Sequence, residues 1–130
     1  MLAVDTNVIV RFLARDEPKQ SARAGEIIHA NRIWIGKTVL LESEWVLRSV
    51  YSFSPNRIAE GLRALAGLPQ IEIEDAAGVA RALDWYQAGM DFADALHLAS
   101  CSAADQFATF DRKFAAKAER LGAMRMLILG

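Results

Sequence analysis

Met1-Leu2-Ala3-Val4-Asp5-Thr6-Asn7-Val8-Ile9-Val10 is the stretch whose reading decides the fold. Four apolar residues predict a short buried strand, a polar triplet interrupts them, and apolar character then resumes at helical spacing. An aspartate at such a strand-to-helix junction sits at the carboxyl end of a sheet, where open α/β sheets place their ligands. Asp5 and Thr6 are also good helix caps, and on this triplet alone capping explains them. The triplet gains a functional meaning only if other carboxylates reach the same rim.

Outward from this stretch the pattern repeats. Val8, Ile9, Phe12 and Leu13 predict a helix that stops before Pro18. Pro18 opens a second helix with Ala22, Ala24, Ile27 and Ile28 inward. Ile33-Trp34-Ile35-Gly36 predicts a short strand, and Thr38 is placed to cap a helix from Val39 to about Tyr51. Ser54-Pro55 opens another helix, stopped by Gly67. Ile71-Glu72-Ile73-Glu74 alternates as a strand does, and Asp75 is placed to cap the helix that ends at Gly89. Asp91 opens an apolar helix expected to run from Phe92 to Ala104. Gln106–Phe110 predicts a strand, Arg112–Leu121 a charged amphipathic helix, and Met124–Leu129 a last strand. Strands separated by helices throughout predict an α/β fold, a three-layer α/β/α sandwich around a mostly parallel sheet. A chain of 130 residues without repeats or low-complexity linkers is expected to be a single domain over 1–130.

Composition narrows the function classes. Hydrophobic residues make up 53%, so a core is expected without staples, and the net charge of −1 advertises no bulk affinity for nucleic acid. A single cysteine, Cys101, excludes an internal disulfide or a multi-cysteine zinc site and suits a reducing, cytoplasmic setting, with Cys101 a small buried filler. No signal peptide or membrane-length apolar run is visible, so a complete, soluble chain without a membrane role is expected.

Four carboxylates stand out. In Val39-Leu40-Leu41-Glu42-Ser43-Glu44-Trp45-Val46-Leu47, Glu42 has Val39, Trp45 and Val46 as its helical neighbours, which predicts a charge on the buried stripe. Glu44 has Arg48 four residues on and reads as a solvated pair, which makes it the weaker candidate. In Asp91-Phe92-Ala93-Asp94-Ala95-Leu96-His97, Asp91 suits the N-cap, whereas Asp94 lies past it in apolar surroundings. His97, one turn on, is best explained as a packed, hydrogen-bonded histidine. Asp111 follows a strand as Asp5 does, and locally it too reads as a cap. Gathered together, Asp5, Glu42, Asp94 and Asp111 would repel one another and stay ionised only around a cation. All-oxygen donors favour Mg²⁺ or Mn²⁺ over zinc, and such ions suit phosphodiester hydrolysis.

Val4-Asp5-Thr6-Asn7, Leu40-Leu41-Glu42-Ser43-Glu44-Trp45-Val46-Leu47, Asp91-Phe92-Ala93-Asp94-Ala95 and Thr109-Phe110-Asp111-Arg112, in that order, resemble the PIN-domain ribonucleases, and within them the VapC-type toxins of toxin–antitoxin pairs. The resemblance implies Mg²⁺- or Mn²⁺-dependent cleavage of single-stranded RNA regions by an acidic pocket of Asp5, Glu42, Asp94 and Asp111. It makes Asp5 and Asp94 the direct metal ligands, with Glu42 and Asp111 acting through water or as the base. Thr6 and Asn7 would orient Asp5, and Thr109 would stand beside Asp111. It also implies a homodimer and a small antitoxin that inserts a basic side chain among the acids. Arg11, Arg15, Lys19, Arg23, Arg48, Arg112 and Lys113 flank the motifs and offer a basic rim for RNA.

Other readings fit less well. A haloacid-dehalogenase-like phosphatase would carry a second aspartate where Asn7 stands, and a receiver-like Mg²⁺-binding signalling domain would need a late lysine at a strand end. A non-toxin PIN nuclease and a PIN domain serving only as an interaction scaffold remain as alternatives, with the intact acids arguing against the scaffold.

Overall fold

Ile33, Trp34 and Ile35 form β2 (Ile33–Ile35), and the two isoleucines are fully buried while Trp34 faces the other way. This period-two alternation sets the register of the first sheet. The computed structural model describes all 130 residues, which fold as two compact units, Met1–Ala76 and Ala77–Gly130.

In the first unit β1 (Leu2–Ala3) pairs with β2, and β2 pairs with β3 (Ile71–Ile73), in the order β1-β2-β3. Both pairings are parallel, with Leu2 opposite Ile33 and Ile33 opposite Ile71. Parallel neighbours need a crossover, and four helices supply them. These are α1 (Thr6–Ala14), α2 (Pro18–Ala30), α3 (Lys37–Ser49) and α4 (Pro55–Ala66). α1 packs on α2 and α3, α3 on α4, and α4 on β3. Ile9, Ile28, Leu40, Leu47, Ile58 and Leu65 are almost wholly buried there, each contributing about 1.5–3 kcal/mol of hydrophobic stabilisation. Pro18 occupies the first turn of α2, as its fixed φ favours, and Ser54 caps α4 by accepting from Arg57 N at 3.2 Å.

The second unit holds α5 (Ala76–Gln87), α6 (Phe92–Ala99), β4 (Phe107–Thr109), α7 (Arg112–Arg120) and β5 (Met126–Ile128). β4 and β5 pair in parallel around α7, a single strand–helix–strand crossover. Phe92 is fully buried with its ring edge-on to Tyr86 at 5.1 Å, and Phe107 meets Phe114 in the same way at 5.6 Å. Gly89, at φ 105°, makes the turn between α5 and α6 in a conformation that side chains resist.

The α/β class and the parallel pairing agree with expectation, and several local readings do not. β1 is not a buried strand: Leu2 is 41% exposed, because within its unit β1 is the sheet edge and has one neighbour. Thr38 lies inside α3, whose cap is Gly36, with no side-chain hydrogen bond. Ala22 is exposed on α2, while Ala24 and Ile28 are buried. Asp75 directly precedes α5, where a cap is expected; its backbone is left-handed, φ 52°, and its Oδ2 accepts from the Lys37 ammonium at 3.3 Å. α6 ends at Ala99 rather than Ala104, where the chain turns through Ser100 and Cys101, and Cys101 is half-buried.

Candidate active site

Asp5 leaves β1 with extended backbone and caps α1, its Oδ1 accepting from Val8 N at 3.2 Å. The cap engages one carboxylate oxygen, and the side chain is exposed, so capping and a site role are compatible in one residue. The next residue, Thr6, is buried, and its hydroxyl donates to Oε1 of Glu42. Thr6 therefore orients Glu42, rather than Asp5 as expected. Its position explains this: Thr6 opens α1 on the side packed against α3. Asn7 is exposed beside Asp5.

Along α3 the two glutamates exchange the places the sequence suggested. The buried face is Leu40, Ser43, Glu44 and Leu47, at the i, i+3, i+4, i+7 spacing of one helical stripe. Glu44 is 2% exposed and accepts from Arg48 Nε at 2.8 Å, whereas Glu42 is exposed. Val39 and Val46 are only half-buried and Trp45 is exposed. Apolar residues surround the helix on most sides, so the side with two polar residues did not read as the inner one. Ser43 adds to the anomaly, since its Oγ is buried without a hydrogen-bond partner. Glu42, linked to Thr6, is the glutamate left exposed.

In the second unit Asp91 caps α6, its Oδ2 accepting from Asp94 N at 3.2 Å. Asp94 is the third residue of α6, so it lies in the first turn, where the helix dipole favours a carboxylate. Burial, then the charge of Asp91, push its carboxyl above the usual aspartate range. His97 pulls it back, and Asp111 pushes it up again. Asp111 caps α7 by accepting from Phe114 N at 3.0 Å, and its own N–H donates to Thr109 Oγ1 at 3.0 Å. Thr109 thus stands beside Asp111 as expected, and His97 is exposed rather than packed. Asp91, at the cap of α6, and Asp111, at the junction of β4 and α7, both bear on Asp94, with His97 acting the other way.

The donors suit a hard divalent cation. They are carboxylate oxygens, the caps engage one oxygen each, and the repulsion felt by Asp94 is the kind a cation relieves. Neither unit closes three His, Cys, Asp or Glu side chains around a point. Mg²⁺ does not require that, since it keeps several waters and takes one or two carboxylates. The coupling of Thr6 to Glu42 joins residues 36 apart in sequence and has no periodic signal by which it could be read beforehand.

The model of the PIN-domain family matches residues 2–120, a span that includes Asp5, Glu42, Asp94 and Asp111 and runs through both units. The chain belongs to the PIN-domain family. PIN domains are in general nucleases, acting on RNA or DNA and typically using divalent metal ions. No curated protein matches the chain. No helix is long and apolar enough to cross a membrane.

Proposed function

We propose that this protein is a Mg²⁺- or Mn²⁺-dependent endoribonuclease cleaving single-stranded RNA regions, and the toxin of a toxin–antitoxin pair. One observation carries the chemistry: the PIN-domain family model matches residues 2–120, the span that holds Asp5, Glu42, Asp94 and Asp111. When bound, the cation would lower the pKa of an attacking water and shield the phosphate. Asp5 and Asp94 would hold it, while Glu42 and Asp111 take the proton of the attacking water or bind through water. Thr6 holds Glu42 in one orientation, Thr109 steadies the backbone at Asp111, and Asn7 flanks Asp5. Asp91 serves as a cap with a further carboxylate oxygen at hand, and Glu44 serves the fold.

The toxin reading rests on the resemblance to VapC-type proteins. It finds support in a groove of about 210 Å³ between α1 and α2, floored by Val8, Ala24 and Ile27 and edged by Arg11 and Arg23. An antitoxin segment with apolar anchors would suit it. The same reading makes the protein a cytoplasmic homodimer whose chain is one domain.

Purified protein supplied with Mg²⁺ or Mn²⁺ should cut RNA, and Asp5→Asn or Asp94→Asn should abolish cutting. Equal cutting by these variants would trace the activity to a contaminant and end the reading. Expression alone should arrest growth, with rescue by the product of a neighbouring small reading frame. Growth without arrest would assign a nuclease outside toxin–antitoxin systems.

A further inference from the structure

Charge is distributed differently in the two units. In the first, five of the nine arginines and lysines are matched with carboxylates: Arg11 with Asp16, Arg23 with Glu26, Arg32 with Glu72, Lys37 with Asp75 and Arg48 with Glu44. On α7 the cations have no such partners. Lys117 Nζ and Arg112 Nη2 donate to the backbone carbonyls of Gly89 and Gly130, at 2.7 and 2.5 Å, and Lys113 and Arg120 are exposed and in no ion pair.

The arrangement around the helix sharpens this. Phe114, Ala115 and Ala118 form the buried side of α7. At 100° per residue, Lys113, Lys117 and Arg120 fall within about 60° of one another and span about 10 Å of axis. The positions three and four away from each of them are Thr109, Phe110, Ala116, Phe114, Leu121, Ala123, Met124 and one another, with no acid among them. A helix face that is merely solvated gains by interleaving acids at those spacings. The helix dipole accounts for cations at Lys117 and Arg120 near the C-terminus, but it opposes Lys113 near the N-terminus. Phe110, one residue before the cap of this helix, is 77% exposed, an unusual state for a phenylalanine.

We infer that Phe110 and the Lys113–Lys117–Arg120 ridge form a track for one nucleic-acid strand, a base stacking on Phe110 and phosphates lying along the ridge. A cation row beside an exposed aromatic ring is the combination that holds single strands regardless of sequence. The track rests on the nuclease reading for its purpose, since it starts next to Asp111 and would lead the strand to that carboxylate. It also accounts for how a chain of net charge −1 holds a polyanion: the positive charge is concentrated on one ridge.

The test uses the full chain carrying Asp5→Asn, in chelator, with a short fluorescein-labelled oligouridylate followed by anisotropy over a range of salt. Phe110→Ala should weaken binding about tenfold or more, as loss of one stacked base does. Lys113→Gln with Arg120→Gln should flatten the slope of log affinity against log salt by about 0.7 per charge removed. Arg32→Gln with Arg81→Gln removes equal charge from other elements of the fold and should leave the slope in place. Parallel weakening on oligothymidylate assigns the track to the backbone common to RNA and DNA, and weakening on the ribo-oligomer alone adds a role for the 2′-hydroxyl. If the unsubstituted chain cuts RNA while the α7 and Phe110 variants bind as tightly as their parent, the track is refuted and the nuclease reading stands. If the unsubstituted chain neither binds nor cuts, both fall.

Discussion

The Thr6 hydroxyl donates to Oε1 of Glu42, tying the first residue of α1 to the middle of α3. Glu42 is otherwise an exposed side chain on a helix, free to sample several rotamers at a cost in order. A donor on a buried, β-branched residue fixes one of those rotamers. Thr6→Val keeps the shape and removes the donor. Single-turnover RNA cleavage should fall about 10–100-fold, the range seen when a group supporting a metal-site ligand is lost. Thr6→Ser should retain most of the rate. Full activity in the valine variant would show that Glu42 needs no such support.

Asp94 links stability to pH in a direction opposite to most aspartates. Burial, Asp91 and Asp111 raise its carboxyl above the ordinary value of 3.8, so the native state holds this proton more tightly than the unfolded chain does. The resulting stability is present below 3.8 and is lost as pH rises through the raised native value. At neutral pH the folded protein keeps the repulsion. Asp94→Asn should therefore raise the melting temperature in chelator by the equivalent of about 0.2–1 kcal/mol, a partly exposed charge being screened by water. The same substitution should abolish cleavage. Mg²⁺ or Mn²⁺ should raise the melting temperature of the wild-type chain and do less for the variant. A variant that melts lower than wild type in chelator would contradict this account.

Which parts of this were legible in the sequence follows from the range of the interactions. Asp5, Ser54, Asp91 and Asp111 all cap helices as their positions predict, because a cap is made with an N–H two or three residues ahead. The strand and helix order is equally local. Periodicity does not separate Glu42 from Glu44, because α3 is apolar on most sides and its inner face is set by the packing of α1 and α4 on it. β1 looks buried by composition, yet exposure is set by how many neighbours a strand acquires. Thr6 finds Glu42 only once α1 lies on α3.

Glu44 and Arg48 give a stability prediction free of catalysis. Glu44 is 2% exposed, and the guanidinium of Arg48 brings it a charge-assisted bond at 2.8 Å. Removing Arg48 takes a charge-assisted partner from a buried carboxylate, and that penalty exceeds what an exposed pair is worth. Arg48→Ala should cost about 1–3 kcal/mol in urea unfolding. Arg23→Ala, which breaks the open Arg23–Glu26 pair, should stay within about 0.5 kcal/mol. Equal costs would mean that Glu44 is satisfied without Arg48.

Arg11, Asp16 and Tyr51 set an acid limit. Arg11 Nη1 donates to Asp16 at 3.1 Å and to Tyr51 Oη at 2.9 Å, joining the end of α1 to the segment after α3. Desolvation acts against the Asp16 charge, but the Tyr51 hydroxyl, its own backbone and Arg11 outweigh that and hold its carboxyl below 3.8. Desolvation, then the bond to Asp16, holds the Tyr51 hydroxyl above its ordinary value, so it remains a donor throughout the neutral range. Because the native carboxyl is the stronger acid, its stabilisation is present above 3.8 and is lost as pH falls through the lower native value. Asp16→Asn should therefore unfold at lower urea than wild type at neutral pH, with the two midpoints converging as the solution is acidified past that value. Tyr51→Phe removes one donor and should narrow the same gap in part. Midpoints that stay apart by a constant amount at every pH would place the effect of Asp16 in packing rather than in charge.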